Sequence, residues 1–238
     1  MTVAWISATP SGGDPFWSDV VLLAGNESGT NGTSTFDDAS ANNHTLTAVG
    51  GAVWSNTSPP SGLTTWIHFP GGSDDGVSAA DHATLRLGGG DFTIDGYVRL
   101  GNTGTRTIIS KGDDGSGARE WWIQTVFSEG IKFTASSDGT ALDIANGKAL
   151  SASFSTGVNY HFAVVRSGNT WYAFLDGVQG STWSSSASIF GGTSTVMLGH
   201  FSSLGAAGLI DSLIVARITK AARWTSNFTP PPLPYPTS

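Results

Sequence analysis

The sequence contains no cysteine, so it can form no disulfide, no thiolate metal site and no cysteine nucleophile. Positive charge is also scarce: four lysines and seven arginines are scattered singly along 238 residues, and the formal net charge is −7. Because phosphate binding needs a concentrated basic surface, we expect no nucleic-acid partner. The lack of cysteine by itself leaves the cellular compartment open.

Long apolar runs are missing as well. No segment approaches the length that is needed to cross a bilayer, so we expect no membrane insertion. The first ten residues have neither the basic region nor the uninterrupted apolar stretch of a signal peptide.

Glutamate occurs only at positions 27, 120 and 129. Glycoside hydrolysis needs two facing carboxylates at a set separation, and these three glutamates do not stand in the spacing of a paired strand motif. The sequence also has no Gly-x-Ser-x-Gly elbow, no His-Glu-x-x-His motif and no phosphate-binding loop. It therefore predicts a protein that is not an enzyme.

Small, polar and aromatic residues make up much of the chain, with 32 Gly, 12 Phe and 9 Trp. Short alternating segments recur between turn signals such as Asp138-Gly139 and Asp176-Gly177. The clearest is Phe92–Leu100, which alternates as a strand with one buried face. This rhythm predicts an all-β fold, a two-sheet antiparallel sandwich that forms one domain.

Two segments flank the predicted sandwich of residues 16–228. Residues 1–15 end in a loose polar stretch and are predicted to form an N-terminal arm. Residues 229–238 are rich in proline, which removes backbone donors, so this tail is predicted to lie on the surface or to reach a partner.

The last predicted strand, Leu209 to Ile218, is apolar on both faces and should be covered on both. Strict alternation places Leu213, Val215 and Arg217 on the same face. Asp211 stands inside this strand, and a buried carboxylate has to be solvated, paired or bound to a metal.

Six segments together carry a resemblance to a known family: Asp14–Leu23, Phe36–His44, Gly90–Arg99, Ile108–Gly112, Leu175–Gly177 and Ile210–Pro231. Over residues 14–233 the chain resembles laminin-G-like domains of the concanavalin A-like lectin/glucanase superfamily, in the form found in tailed-bacteriophage structural proteins. The resemblance implies a jelly-roll sandwich, a glycan-binding or virion-surface role and a structural Ca²⁺. The Arg223–Pro231 block is its most phage-like element.

Oxygen donors crowd one loop, which holds Asp37, Asp38, Asn42 and Asn43. Ca²⁺ takes about six to eight oxygen ligands from carboxylates, amide carbonyls, backbone and water. With Asp211 from the last strand, these residues form a candidate structural Ca²⁺ site. The alternative is a loop held by ordinary Asx turns, and this loop lacks the glycine that such relatives usually carry.

Aromatic rings that stack on sugar faces are the second candidate site. The candidates are Trp121, Trp122, Trp171, Tyr172 and Trp183. Adjacent Trp121 and Trp122 point to opposite faces of their strand, so one is exposed unless the outer face is covered. The alternative, which we favour, is that these rings fill the core or a protein interface.

The sequence and the resemblance together predict a non-enzymatic virion structural protein of a tailed phage. It would decorate the particle as a capsid decoration protein or head fibre, with glycan binding as a further property. Its partners would be other virion proteins and further copies of itself. Its location would be the virion surface, after assembly in the bacterial cytoplasm. The alternatives are a carbohydrate-binding adhesin or tail-associated receptor-binding module and, more distantly, a glucanase-like hydrolase.

Overall fold

Two antiparallel β-sheets pack face to face in the computed structural model, and the described residues form eight strands in each sheet. The same residues include two short 3-10 helices, Trp17–Asp19 and Ala83–Leu85. The structure describes residues 13–72, 74–112, 115, 117–201 and 211–238. The predicted all-β sandwich, consistent with a concanavalin A-like jelly roll, is confirmed. No helix among the described residues is long and apolar enough to cross a membrane.

The strands of the described residues follow at short intervals. In chain order they are β1 (Val20–Ala24), β2 (Thr35–Phe36), β3 (Leu46–Val49), β4 (Val53–Ser55), β5 (Trp66–Phe69), β6 (Gly76–Ala79), β7 (Phe92–Leu100), β8 (Arg106–Gly112), β9 (Arg119–Val126), β10 (Gly130–Ala135), β11 (Ala145–Ser151), β12 (Asn159–Ser167), β13 (Thr170–Leu175), β14 (Val178–Ser184), β15 (Val196–Leu198) and β16 (Asp211–Thr219). The first sheet has the order β14-β13-β12-β7-β16-β5-β4, with β1 also paired to β16. The second sheet has the order β11-β10-β9-β8-β15-β6-β3-β2.

The main core lies between the inner faces of the two sheets and is rich in aromatic rings. Trp171 and Trp183 stack with their ring centroids 5.6 Å apart, and Phe133 lies 6.1 Å from each of them. Burying each large apolar side chain stabilises the fold by about 1.5–3 kcal/mol, so the aromatic content is largely explained by packing.

Three short or polar strands, β2, β4 and β14, are not predicted by the sequence. The side chains of β14 are mostly exposed, so its sequence carries no clear alternation. The sequence also predicts a strand over residues 141–145, whereas the observed strand β11 begins at Ala145. Leu209 and Ile210, predicted to open the last strand, lie outside the described residues.

A β-bulge in β16 shifts its register against β7 between Leu213 and Val215. Leu213 packs in the main core, whereas Val215 packs in a separate cluster on the other side of the sheet. The prediction that they share a face is therefore wrong, because a bulge adds one residue to the alternation. The prediction that both faces of this strand are covered is confirmed, since residues 213–219 are all buried.

Residues 220–238, which we call the strap, cross the outer face of the first sheet. Near its start, the rings of Trp224 and Phe228 stack 3.9 Å apart and pack on β12 and β13. The sequence predicts only one buried face for β7, but the strap covers the second face as well. In the observed strand, Thr93 donates a 2.8 Å hydrogen bond to the carbonyl of Ala221 in the strap.

The proline-rich end of the strap returns across the same sheet towards β1. The hydroxyl of Tyr97 donates a 2.8 Å hydrogen bond to the carbonyl of Pro231. Tyr235 is buried against β1 and β16, and its backbone exchanges hydrogen bonds of 3.0 and 2.6 Å with the side-chain amide of Asn26. Residues 229–238 thus lie against the sandwich over much of their length.

Four charged side chains meet under the strap. Arg217 of β16 donates from Nε and Nη2 to the two carboxylate oxygens of Asp95, at 3.0 and 2.9 Å. Its Nη1 donates to Asp14 at 3.0 Å, and Asp14 also accepts two hydrogen bonds from Arg223 at 2.9 and 2.7 Å. The network therefore connects the N-terminal segment, the centre of the first sheet and the strap.

Burial alone raises the pKa of the Asp95 carboxyl, but the charge of Arg217 and hydrogen bonds from His161 and Arg217 more than offset it. The pKa of Asp95 therefore lies well below its usual range. Asp14 follows the same pattern. Burial raises the pKa of its carboxyl, but the contacts with Arg223 and neighbouring groups lower it by more, so the pKa of Asp14 lies below its usual value.

We predict that Arg217→Met destabilises the protein by about 3–5 kcal/mol, because it leaves two buried carboxylates without their shared cation. Urea unfolding at neutral pH measures the change. Arg86→Met is the matched control, since Arg86 pairs with Asp81 at a partly exposed site, where solvent screens the pair and its loss should cost much less. A loss below about 1 kcal/mol for Arg217→Met would contradict the role given to the network.

The network also predicts how stability depends on pH. A carboxyl whose pKa is lower in the folded state stabilises the fold above its unfolded pKa of about 3.9, and this contribution is lost as the pH falls through that value towards the folded pKa. The free energy of unfolding should therefore decline below about pH 5. Asp14→Asn, which keeps the Asp95–Arg217 pair, should flatten the decline, and an unchanged pH slope in this variant would show that Asp14 contributes nothing to it.

Candidate functional site

The tryptophans that the sequence proposes as sugar platforms are buried. Trp121, Trp171 and Trp183 belong to the main core. Trp122 lies on the other face of β9, where its ring meets Phe201 edge-on at 5.6 Å and stays only 4% exposed. The four indoles therefore pack inside the protein, as the alternative interpretation holds.

Tyr172 is the one proposed platform residue that is partly exposed. It packs at the edge of the cluster formed by Phe174 and the strap residues Trp224 and Phe228. The structure therefore does not bring the five proposed platform residues together on one surface.

Asp38, at the centre of the predicted calcium loop, is 3% exposed and accepts four hydrogen bonds of 2.9 Å. The donors are the backbone amides of Leu23, Ser40 and His44 and the hydroxyl of Ser40. Both carboxylate oxygens are thus used to hold the loop against β1. Asp37, Asn42 and Asn43 are exposed around it.

Asp211 lies far from that loop. Asp38 bridges to Ala24, which faces Ala216 of β16, and Asp211 is five residues further along the same strand, or roughly 16 Å at the usual rise. Asp211 instead lies 3.0 Å from Nε of Arg99, whose guanidinium stacks over Trp66. No group of three or more His, Asp or Glu side chains that could hold a metal ion occurs in the described ranges. These residues do not assemble the proposed Ca²⁺ donor set.

We predict that Asp38→Ala destabilises the protein by about 1–3 kcal/mol or more, because several buried amides lose their acceptor. The cost should be the same in calcium and in chelator, as measured by thermal unfolding. A melting temperature that rises with calcium in the wild type, and no longer rises in Asp38→Ala, would contradict this expectation and show that the loop binds calcium.

Two phenylalanines line a 260 Å³ depression at one end of the second sheet. Phe127 lies in the β9–β10 turn, and Phe154 lies in the segment that follows β11. The other lining residues are small or carry hydroxyl groups: Thr103, Ser128, Gly130, Ala152 and Ser153. The arrangement combines apolar ring surface with neutral hydrogen-bonding groups, and we call it the phenylalanine pocket.

Turn geometry holds Phe127 in place. The backbone amide of Phe127 donates to the hydroxyl of Thr105, and the backbone amide of Glu129 donates to the carbonyl of Val126. Ser128, between them, has a φ of 60°. Gly130 follows with a φ of 90°, and a side chain there would lie 2.2 Å from the carbonyl oxygen of Ser151. The hairpin therefore presents Phe127 at its tip, where 64% of the residue is exposed.

Sequence alone does not reveal this pocket. The alternation of residues 120–127 predicts a strand that includes Phe127, whereas β9 ends at Val126. The available signal was an aromatic residue directly before the turn residues Ser128-Glu-Gly130. The role of Phe154 had no local signal, because its position beside the hairpin depends on the pairing of β10 with β11.

A larger cavity of 380 Å³ lies between the N-terminal segment and the strap. Asp14, Phe16, Arg223, Trp224 and strap prolines line it. Its charged groups already pair with one another, as described above, so they act there as structural contacts.

The carboxylates of the three glutamates lie in different surroundings. Glu120 is buried and lies 3.1 Å from Nζ of Lys111. Glu27 shares a hollow of 60 Å³ with Asp37, and it lines a neighbouring depression of 300 Å³ whose other lining residues carry no carboxylate side chain.

Residues 71–220 match the laminin-G-type family described as the concanavalin A-like lectin/glucanases superfamily. This match covers more than half of the chain and agrees with the observed sandwich. The chain belongs to that superfamily. A search of curated proteins finds no match.

Solved structures show the same fold at low identity. The binding domain of Paraclostridial Mosquitocidal Protein 1 matches with a TM-score of 0.64 and 13% identity, over 87% of this chain and 50% of that chain. This chain thus spans about half the length of that relative. Domain 4 of AbnA, a GH43 extracellular arabinanase from Geobacillus stearothermophilus, matches with a TM-score of 0.59 and 14% identity, over 86% of this chain and 93% of that chain. The CBM40 of Ruminococcus gnavus IT-sialidase matches with a TM-score of 0.54 and 16% identity, over 67% of this chain and 91% of that chain.

Proposed function

We propose that this protein is a non-enzymatic, glycan-binding domain and that the phenylalanine pocket is its sugar site. The observation that carries the proposal is the exposure of Phe127 at the rim of a concave, hydroxyl-lined depression. Leaving a phenylalanine in water forgoes about 1.5–3 kcal/mol of burial, and a sugar face stacked on the ring would recover part of it.

The comparisons support a binding role. Two of the matching structures are complexes with sugars: AbnA domain 4 with arabinotriose and the CBM40 with α2,3 sialyllactose. Other matches are toxin binding domains, including that of botulinum neurotoxin serotype G. A binding domain without catalysis agrees with the isolated glutamates of this chain.

Display on a tailed-phage particle is the finer part of the proposal. Its support is the resemblance of the Arg223–Pro231 block to phage structural proteins. In the fold this block forms the first half of the strap, which packs on the first sheet. The phenylalanine pocket lies elsewhere, at one end of the second sheet. A domain anchored on a particle could in this way keep its sugar site open.

We predict that Phe127→Ala weakens glycan binding at least about tenfold while changing the free energy of unfolding by less than about 0.5 kcal/mol. A glycan array followed by calorimetric titration of the best ligand measures the binding, and urea unfolding measures the stability. Val178→Ala is the matched control, because Val178 is 62% exposed on another surface. Equal binding by wild type and Phe127→Ala would remove the pocket from the proposal, and no binding on the array would remove the function.

Particle location has its own test. If the domain decorates virions, antibodies against it should label phage capsids, and deletion of its gene should lower particle stability without loss of adsorption. Lost adsorption with intact capsids would instead support the adhesin alternative.

A further inference from the structure

We infer that the phenylalanine pocket selects a single uncharged sugar residue and discriminates against acidic sugars. This inference rests on the proposed glycan-binding function and specifies its ligand class. It follows from three features of the described residues: the charge around the pocket, its size and the chemistry of its polar groups.

None of the described residues that line the pocket carries a charge. The nearest ionisable residue in the turn is Glu129, which stands between the lining residues Ser128 and Gly130 and has a side chain that is 65% exposed. Lys132 lies 3.8 Å from Glu129, and Arg106 donates to the carbonyl of Thr105, so charges of both signs occur on side chains outside the lining. A sugar carboxylate in the pocket would lose water and find no charged donor among the lining residues, within a protein of net charge −7.

Size sets the second limit. At 260 Å³ the pocket is a small one, on the scale of one sugar ring with its hydroxyl groups. It also falls below the roughly 300 Å³ at which pockets for drug-sized ligands begin. A second ring of an oligosaccharide would therefore extend into solvent and contribute little to affinity.

The polar groups of the pocket suit the same ligand. Three of the lining residues, Thr103, Ser128 and Ser153, carry hydroxyls, each of which can donate or accept. Such groups form neutral hydrogen bonds with sugar hydroxyls. They lack the planar, charged donors through which arginine holds a carboxylate.

Titration of the full chain with defined sugars tests the inference. The neutral probes are the methyl glycosides of glucose, galactose, mannose, arabinose and N-acetylglucosamine, and the acidic probes are methyl glucuronide and N-acetylneuraminic acid, all at low salt. We expect at least one neutral probe to bind and each acidic probe to bind at least about threefold more weakly than the best neutral one. A linear trisaccharide that ends in the best sugar should bind within about threefold of the monosaccharide.

Charge reversal near the pocket supplies the matched variants. Glu129→Lys should strengthen binding of the acidic probes at least about threefold and leave the best neutral probe within twofold. Glu27→Lys makes the same change of net charge at an exposed glutamate outside the pocket and should alter neither.

The outcomes separate the two proposals. If no sugar binds, or if Phe127→Ala binds as well as wild type, the proposed function at this pocket fails and the inference fails with it. If sugars bind through Phe127 but acidic probes bind as tightly as neutral ones, or the trisaccharide binds more than tenfold tighter, the function stands and the inference is overturned.

Discussion

The buried ion pair between Asp95 and Arg217 is the contact on which the arrangement of the chain ends depends. Both charges lie on the outer face of the first sheet, in its two central strands, β7 and β16. A charge removed from water without full compensation costs several kcal/mol, so this face could not simply be covered by apolar side chains. The N-terminal segment supplies Asp14 and the strap supplies Arg223, which complete the network. The ring of Tyr235 then lies 4.0 Å from the Arg217 guanidinium and covers the pair.

This arrangement also decides which aromatic residues are available for binding. Most tryptophans are used either between the sheets or beneath the strap, so a large aromatic residue does not indicate a sugar platform in this protein. Phe127 is different because the turn that carries it projects beyond the sheet and is not covered. Exposure and concavity therefore single out the proposed sugar site, whereas residue type alone would point to the interior.

Much of the fold could be predicted from the sequence, because few folds other than an antiparallel β-sandwich are built from short alternating segments between turn residues. Phe92–Leu100 shows where that reasoning ends: its alternation identifies the strand, but Asp95 and Thr93 look solvent-facing until the strap is placed over them. The bulge at Leu213 and Val215 is similarly invisible, since it depends on the partner strands. Asp38 illustrates the limit for sites, because a carboxylate saturated by backbone amides and one that binds calcium have the same local sequence.

A double-mutant cycle between Arg217 and Tyr235 tests most directly whether the ion network holds the strap in place. The free energies of unfolding of Arg217→Met, Tyr235→Ala and the double variant are compared with that of the wild type. If the strap closes over the pair as described, the two changes are not additive, and the coupling free energy is about 1 kcal/mol or more. Additive losses within about 0.5 kcal/mol would show that the strap and the ion pair stabilise the protein independently, which would contradict this account.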